Sequence, residues 1–120
     1  MATLVPLNTF KTIASNVYDS PYVLYTTPQE VATIILTAQV SNVTDEFANV
    51  TFIHRSNISF GGGRLITDTE LVKDFEIPPK DAASVVVGKI VLEEEQAVLA
   101  SCSANNKLKI VMSLLETSLQ

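Results

Sequence analysis

From Val31 to Asn42 the chain reads VATIILTAQVSN, and near its end KLKIVMSLLE fills 107–116; both runs alternate in character with a period of two. Successive side chains of a strand point to opposite faces, so such alternation over about eight residues marks a half-buried strand. It does not fit the 3.6-residue period of a helix. In the first run Ile34, Leu36, Ala38 and Val40 fall on one face, opposite Thr33, Ile35, Thr37 and Gln39. In the second, Leu108, Ile110, Met112 and Leu114 oppose Lys109, Val111, Ser113 and Leu115. Ile34, Leu36, Val40, Leu108, Ile110 and Met112 are therefore the expected core, on facing sheets.

Six further runs rich in Val, Ile, Thr, Phe and Tyr cover 10–18, 22–26, 48–55, 69–77, 84–92 and 96–102. These residues fit a pleated, half-covered surface. Turn chemistry separates the runs. Ser20-Pro21 and Thr27-Pro28 punctuate the first third, and Val43–Phe47 reads as a short hairpin loop. Gly61-Gly62-Gly63 reads as a mobile loop, and Pro78-Pro79 ends a strand because proline cannot donate to a ladder. Glu93–Glu95 and Asn105-Asn106 are expected to link the last three strands as a meander, the asparagines tolerating positive φ in a tight hairpin. Helix is confined to a single turn at most, in PPKDAAS (78–84). About eight short strands at such spacing predict one all-β domain over 1–120, an antiparallel β-sandwich of jelly-roll type.

Charged residues make up 18% of the chain, against about 25% in an ordinary soluble domain. A surface this poor in charge predicts that part of it is covered by a partner, most simply by further copies of the chain. The net charge is -5 and the eight Lys and Arg are scattered, which leaves no basic footprint for nucleic acid. No apolar run reaches the roughly 20 residues of a membrane-spanning helix, so no membrane is expected as a partner. The opening MATLVPLNTFK has neither the basic nor the long apolar part of a signal peptide, which predicts synthesis and retention in a cytoplasm. On that expectation the three N-x-[ST] sequons at Asn42, Asn49 and Asn57 are strand and turn chemistry and not glycosylation sites.

A catalytic constellation is not legible, and the expectation is a protein that is not an enzyme, with no cofactor and no metal. The single histidine, His54, sits in a strand beside Arg55, and Cys102 lies in the apolar run AVLASCSA as an inert buried thiol. Together they match no metal-ligand spacing. Glu93–Glu95 form the acidic tip of a turn, where carboxylates are ordinarily solvated. FGGGR (60–64) lacks the Lys-Ser/Thr of a phosphate loop; its alternative to a mobile loop is an assembly contact, with Phe60 as the apolar anchor and Arg64 as the polar one. Residues 1–8 hold Leu4, Val5 and Leu7 without a charge, and Pro6 breaks any ladder. They are expected to form an arm that docks on a neighbouring subunit through those three side chains.

The run of motifs resembles small structural proteins of tailed bacteriophages, particularly cyanophage ones. The likeness is carried by TFKT (9–12), YTTPQEVATIILTAQVSNVTDEFANVTFIHR (25–55), LVKDFEIPPKDAA (71–83), GKIVLEEEQAVLAS (88–101) and LKIVMSLLE (108–116). Glu93–Glu95 and the glycine triplet depart from the family pattern, and no functional residue carries over. The resemblance implies a virion β-sandwich, foremost a capsid decoration or cement protein that binds itself and the major capsid protein. A neck, tail or baseplate component is the second reading. A carbohydrate- or receptor-binding sandwich is a third, weakened by the absence of tryptophan.

Overall fold

The computed structural model describes residues 8–105 and 107–119. Leu4, Val5 and Leu7 lie outside the described residues, as does Asn106. The predicted alternation is realised in nine strands: β1 (Asn8–Val17), β2 (Tyr22–Thr26), β3 (Val31–Asn42), β4 (Ala48–Phe60), β5 (Gly63–Ile77), β6 (Ala82–Ser84), β7 (Ile90–Leu92), β8 (Ala97–Cys102) and β9 (Leu108–Ser118). One sheet has the order β1-β9-β3, with β6 and β7 both paired to β3; the other has the order β2-β8-β4-β5. All pairings are antiparallel. Because β6 and β7 share one place beside β3, the nine strands fill eight positions. Apart from the β4–β5 hairpin and the β6–β7 break, each connection passes from one sheet to the other. This is the double-sheet jelly roll expected from the sequence.

Local pairing differs from the sequence reading at several connections. Residues 43–47, 93–96 and 103–107 join strands of different sheets, so they are arches and not hairpins, and the last three strands are no meander. Asn42 shows how one arch is built. Buried at the end of β3, its Nδ2 donates to the carbonyls of Glu46 (2.6 Å) and Ile77 (3.0 Å), and its Oδ1 accepts from the Thr44 amide (3.0 Å) and hydroxyl (2.7 Å). The first sequon is thus a side chain sealed into the fold. The expected strand 84–92 is broken in two, with Gly88 at φ 77° between the pieces. PPKDAAS is a turn at Pro79-Lys80 leading into β6 and has no helical residue.

The core lies between the sheets and includes Val17, Ile35, Ala38, Val40, Val50, Phe52, Leu92, Val98, Leu108, Ile110 and Met112. Val40, Leu108, Ile110 and Met112 are buried as expected, but β3 and β9 are neighbours in one sheet, whereas the sequence reading places them on facing sheets. Ile34 and Leu36 are not buried as expected: they are only partly buried, while Thr33 and Ile35 are fully buried. A bulge between Ile35 and Thr37 is the cause. An extra residue in one strand inverts the facing of all that precedes it, so Ile35 points inward before the bulge and Ala38 and Val40 after it.

The turns gather at two ends. Ion pairs and hydrogen bonds join the β1–β2 turn to the β8–β9 turn (Asp19 N–H to Asn105 Oδ1, 2.8 Å), β3–β4 to β5–β6 (Lys80–Asp45, 3.1 Å) and β8–β9 to β3–β4 (Lys107–Glu46, 2.9 Å). At the other end Glu95 of the β7–β8 turn binds Gln29 (2.8 Å) and Arg64 (2.9 Å).

Candidate assembly surface

The longest strands overrun the sandwich at this second end. β8 pairs with β4 only as far as Arg55, yet β4 continues to Phe60 and returns as β5 from Gly63. Five residues at about 3.3 Å each project a two-stranded ribbon roughly 17 Å beyond the sheet. At its root Arg55 holds Asp68 with two bonds of 2.7 and 3.0 Å, and this pairing lowers the Asp68 carboxyl below its ordinary range. The glycine triplet is correspondingly smaller as a loop than expected. Gly63 is already paired with Phe60, leaving Gly61 and Gly62 as the tip.

Both ribbon residues expected to make contacts sit at this tip. Phe60 is 60% exposed, and Ile58 and Leu65, paired across the two strands on the same face, are exposed with it. Arg64 has turned back to the β7–β8 turn, where it binds Glu95 at 2.9 Å. Between ribbon and turn lies a groove of about 460 Å³ lined by Ala32, Asn57, Ile58, Glu93, Gln96 and Leu119. The Asn57 Oδ1 is buried there without a hydrogen-bond partner.

A second surface was not foreseen from the sequence: the outer face of the β1-β9-β3 sheet. The register places Phe10, Leu115, Ile34 and Val91 side by side, one from each of β1, β9, β3 and β7. Phe10 is 75% and Val91 58% exposed. A polar row of Thr12, Ser113 and Thr37 comes next, then Ala14 and Val111 beside Gln39, and among the described residues Lys109 is the one charged side chain that the pairing puts on this face. Alternation sets Leu115 opposite the buried face of its strand but places Ile34 in the core, and the match across four strands depends on register, which one strand alone does not encode.

The sheet edges differ in their protection, which matters because an open edge recruits further strands. β5 is guarded by Asp68, Glu70, Lys73 and Asp74 and by two irregularities of register, with Asp74 at φ 51°. β2 is five residues long and bulged, and the β6/β7 edge is broken. β1 has ten residues, one charge (Lys11) and no irregularity, and among the described residues it pairs with β9 alone.

Residues with chemical potential are dispersed. His54 lies half-buried on β4 opposite Val98 and Thr69. Burial raises the Cys102 thiol above its ordinary value, and it donates to the carbonyls of Ala104 (2.9 Å) and Val17 (3.3 Å). Among the described residues no three of His, Cys, Asp and Glu are grouped so as to hold a metal ion, and no helix is long and apolar enough to cross a membrane. A part-buried polar network ties the sheets together at the ribbon end. Tyr25 Oη donates to Glu116 Oε2 (2.5 Å) and lies 2.9 Å from Thr33 Oγ1, while Lys11 reaches Glu116 Oε1 at 3.0 Å. Burial, and then the bond to Glu116, push Tyr25 up to about 12.

No protein-family model and no curated protein matches the chain. Solved structures do. A chain of the Bacillus endospore appendages, a family of disulfide-linked pili, aligns over 100% of this chain and 99% of its own, at a TM-score of 0.52 and 10% identity. A chain of the T13 IBDV viral particle aligns over 94% of this chain and 31% of its own, at a TM-score of 0.53 and 8% identity. The present chain thus spans about a third of that viral one. At such identities the likeness is one of fold.

Proposed function

We propose that the protein is a structural subunit that assembles with copies of itself in a virion, and that it works without catalysis. The observation that carries this reading is the outer face of the β1-β9-β3 sheet, apolar across four strands and bordered by the unguarded edge of β1. Copies with a net charge of -5 repel one another over most of their surface. Two such faces can meet without bringing carboxylates together, so association is directed there. Burying Phe10, Leu115, Ile34 and Val91 supplies the driving force, and β1 offers main-chain groups to a neighbouring strand.

The structural neighbours support this reading: one is a pilus chain and the other belongs to a viral particle, both repeating assemblies. Those pili are disulfide-linked, whereas the one cysteine of this chain is buried. Its contacts are accordingly non-covalent. The virion position proposed is that of a capsid decoration or cement protein of a tailed bacteriophage, made in the host cytoplasm and bound to the major capsid protein, with the ribbon tip at Phe60 reaching a neighbouring subunit. A neck, tail or baseplate part uses the same surfaces in fewer copies. Densitometry of purified particles separates the two. Copies comparable in number to the major capsid protein support decoration, a handful per particle assigns the neck or tail, and absence from particles refutes the reading.

A further inference from the structure

The end of the sandwich remote from the ribbon holds a feature that assembly does not use. Tyr18 directly follows β1 and Tyr22 opens β2, and the turn Asp19-Ser20-Pro21 brings their rings to 5.0 Å at 66°, an edge-to-face pair. In that arrangement the edge-on ring keeps its own faces clear of its partner. Both rings are exposed, Tyr18 at 36% and Tyr22 at 48%. With Asp19, Ser20, Pro21 and Asn105 they line a shallow groove of about 340 Å³, at the lower edge of the roughly 300–1,000 Å³ common for small-molecule sites.

The two rings present a joint aromatic surface to solvent. Here the turn is held open from beneath. The Cys102 amide donates to the Tyr18 carbonyl at 2.8 Å, and the Asp19 amide donates to Asn105 Oδ1 at 2.8 Å. The Cys102 thiol donates to the Val17 carbonyl at 3.3 Å. The rings are therefore presented by a framework formed before any ligand arrives, which lowers the ordering cost of binding. The Asp19 carboxylate has no ion-pair partner among the described residues, and with Asn105 Oδ1 engaged, its Nδ2 remains available as a donor.

We infer that this groove binds a neutral sugar ring. The apolar C–H face of a pyranose stacks on an exposed tyrosine ring, while its hydroxyls donate to the Asp19 carboxylate and accept from the Asn105 amide and the Ser20 hydroxyl. The unpaired Asp19, on a chain of net charge -5, disfavours sialic and uronic acids. An apolar or proline-rich peptide uses the rings but leaves the carboxylate desolvated and unpaired, which is costly. The site is independent of the assembly face and stands at the other end of the molecule. A subunit packed through the ribbon end and the β1-β9-β3 sheet therefore still presents this groove.

Amide NMR titration of the intact chain tests this. The probes are the methyl glycosides of galactose, glucose, mannose and N-acetylglucosamine, with N-acetylneuraminic acid as the anionic arm. At least one neutral glycoside should shift the amides of Val17–Tyr22 and Asn105, with a dissociation constant in the millimolar range typical of about −4 kcal/mol. Tyr22→Ala should weaken that binding about tenfold or more, roughly 1.4 kcal/mol, and Asp19→Ala provides a second variant should the first disturb folding. Phe10→Ser, at the far end, should leave it unchanged. The inference is overturned if no neutral glycoside shifts these amides at about 20 mM, well above a millimolar constant. It is equally overturned if the anionic sugar binds as well as the neutral ones, or if both groove variants bind like wild type.

Discussion

Replacing Ile35 and Leu36 separately by alanine tests the bulge in β3, because strict alternation and the observed register assign these neighbours opposite roles. Ile35 is fully buried among the residues between the sheets, whereas Leu36 is partly exposed on the outer side. Ile35→Ala removes three carbons from a closed site. At about 0.8 kcal/mol for each buried methylene the transfer term is roughly 2.4 kcal/mol. The unfilled space adds to it, and the total should lie within the 2–5 kcal/mol found for emptied aliphatic sites. Leu36→Ala vacates a position that water already reaches, opens no cavity, and should lose about 1 kcal/mol or less. Urea denaturation reads both, with an unchanged slope confirming that the midpoint shift reports stability. A larger loss at Leu36 than at Ile35 refutes the bulge and restores unbroken alternation across the strand.

Asn42→Ala should destabilise the isolated protein by at least about 2 kcal/mol in the same assay, since it orphans buried partners at about 1–3 kcal/mol each; a loss below 0.5 kcal/mol, the ordinary surface value, excludes a structural role for the arch. Burial raises the Glu116 carboxyl, but the bonds from Tyr25 and Lys11 outweigh it and hold the group below its ordinary value of 4.5. Its contribution is therefore complete above that value and disappears as the pH falls through the depressed one. Between about pH 6 and pH 3 wild type should accordingly lose more stability than Glu116→Gln, and parallel losses contradict this. Asn8, the last residue of the arm read from the sequence, belongs to β1 and pairs with Thr117. The arm is therefore tested by deleting residues 2–7, which should leave the melting temperature nearly unchanged while weakening incorporation into particles. A much lower melting temperature assigns that segment to the subunit's own fold.

Element positions were legible because the period of two survives in nearly every strand. VATIILTAQVSN and KLKIVMSLLE both became central strands of one sheet, and Pro78 stands just after the end of β5. Facing was less legible where the backbone departs from regularity: nothing in ILTAQ announces that Leu36 is the extra residue. Sheet membership was not legible at the turns. VTDEF, EEE and NN carry the same small polar chemistry whether they close a hairpin or cross between sheets, and the choice is made by distant partners such as the Ile77 carbonyl bound to Asn42. Phe60 and Arg64, read from the sequence as flanking a loop, lie on the paired strands of a ribbon whose tip is only Gly61 and Gly62. The four-strand apolar row required tertiary register, which joins residues up to about a hundred positions apart, and the Tyr18–Tyr22 pair required the geometry of the turn between them.

Sedimentation velocity of wild type and of Phe10→Lys/Val91→Lys, from about 1 to 100 µM, tests self-assembly most directly. Both substitutions fall on exposed positions of the outer face, so the double variant should keep its fold and its urea midpoint. Wild type should sediment as a species heavier than the 13.0 kDa monomer, in proportions that rise with concentration. The double variant, placing two cations on each apolar face, should remain monomeric throughout. A wild type that stays at 13.0 kDa over the whole range, or a double variant that assembles as wild type does, contradicts assembly through this sheet.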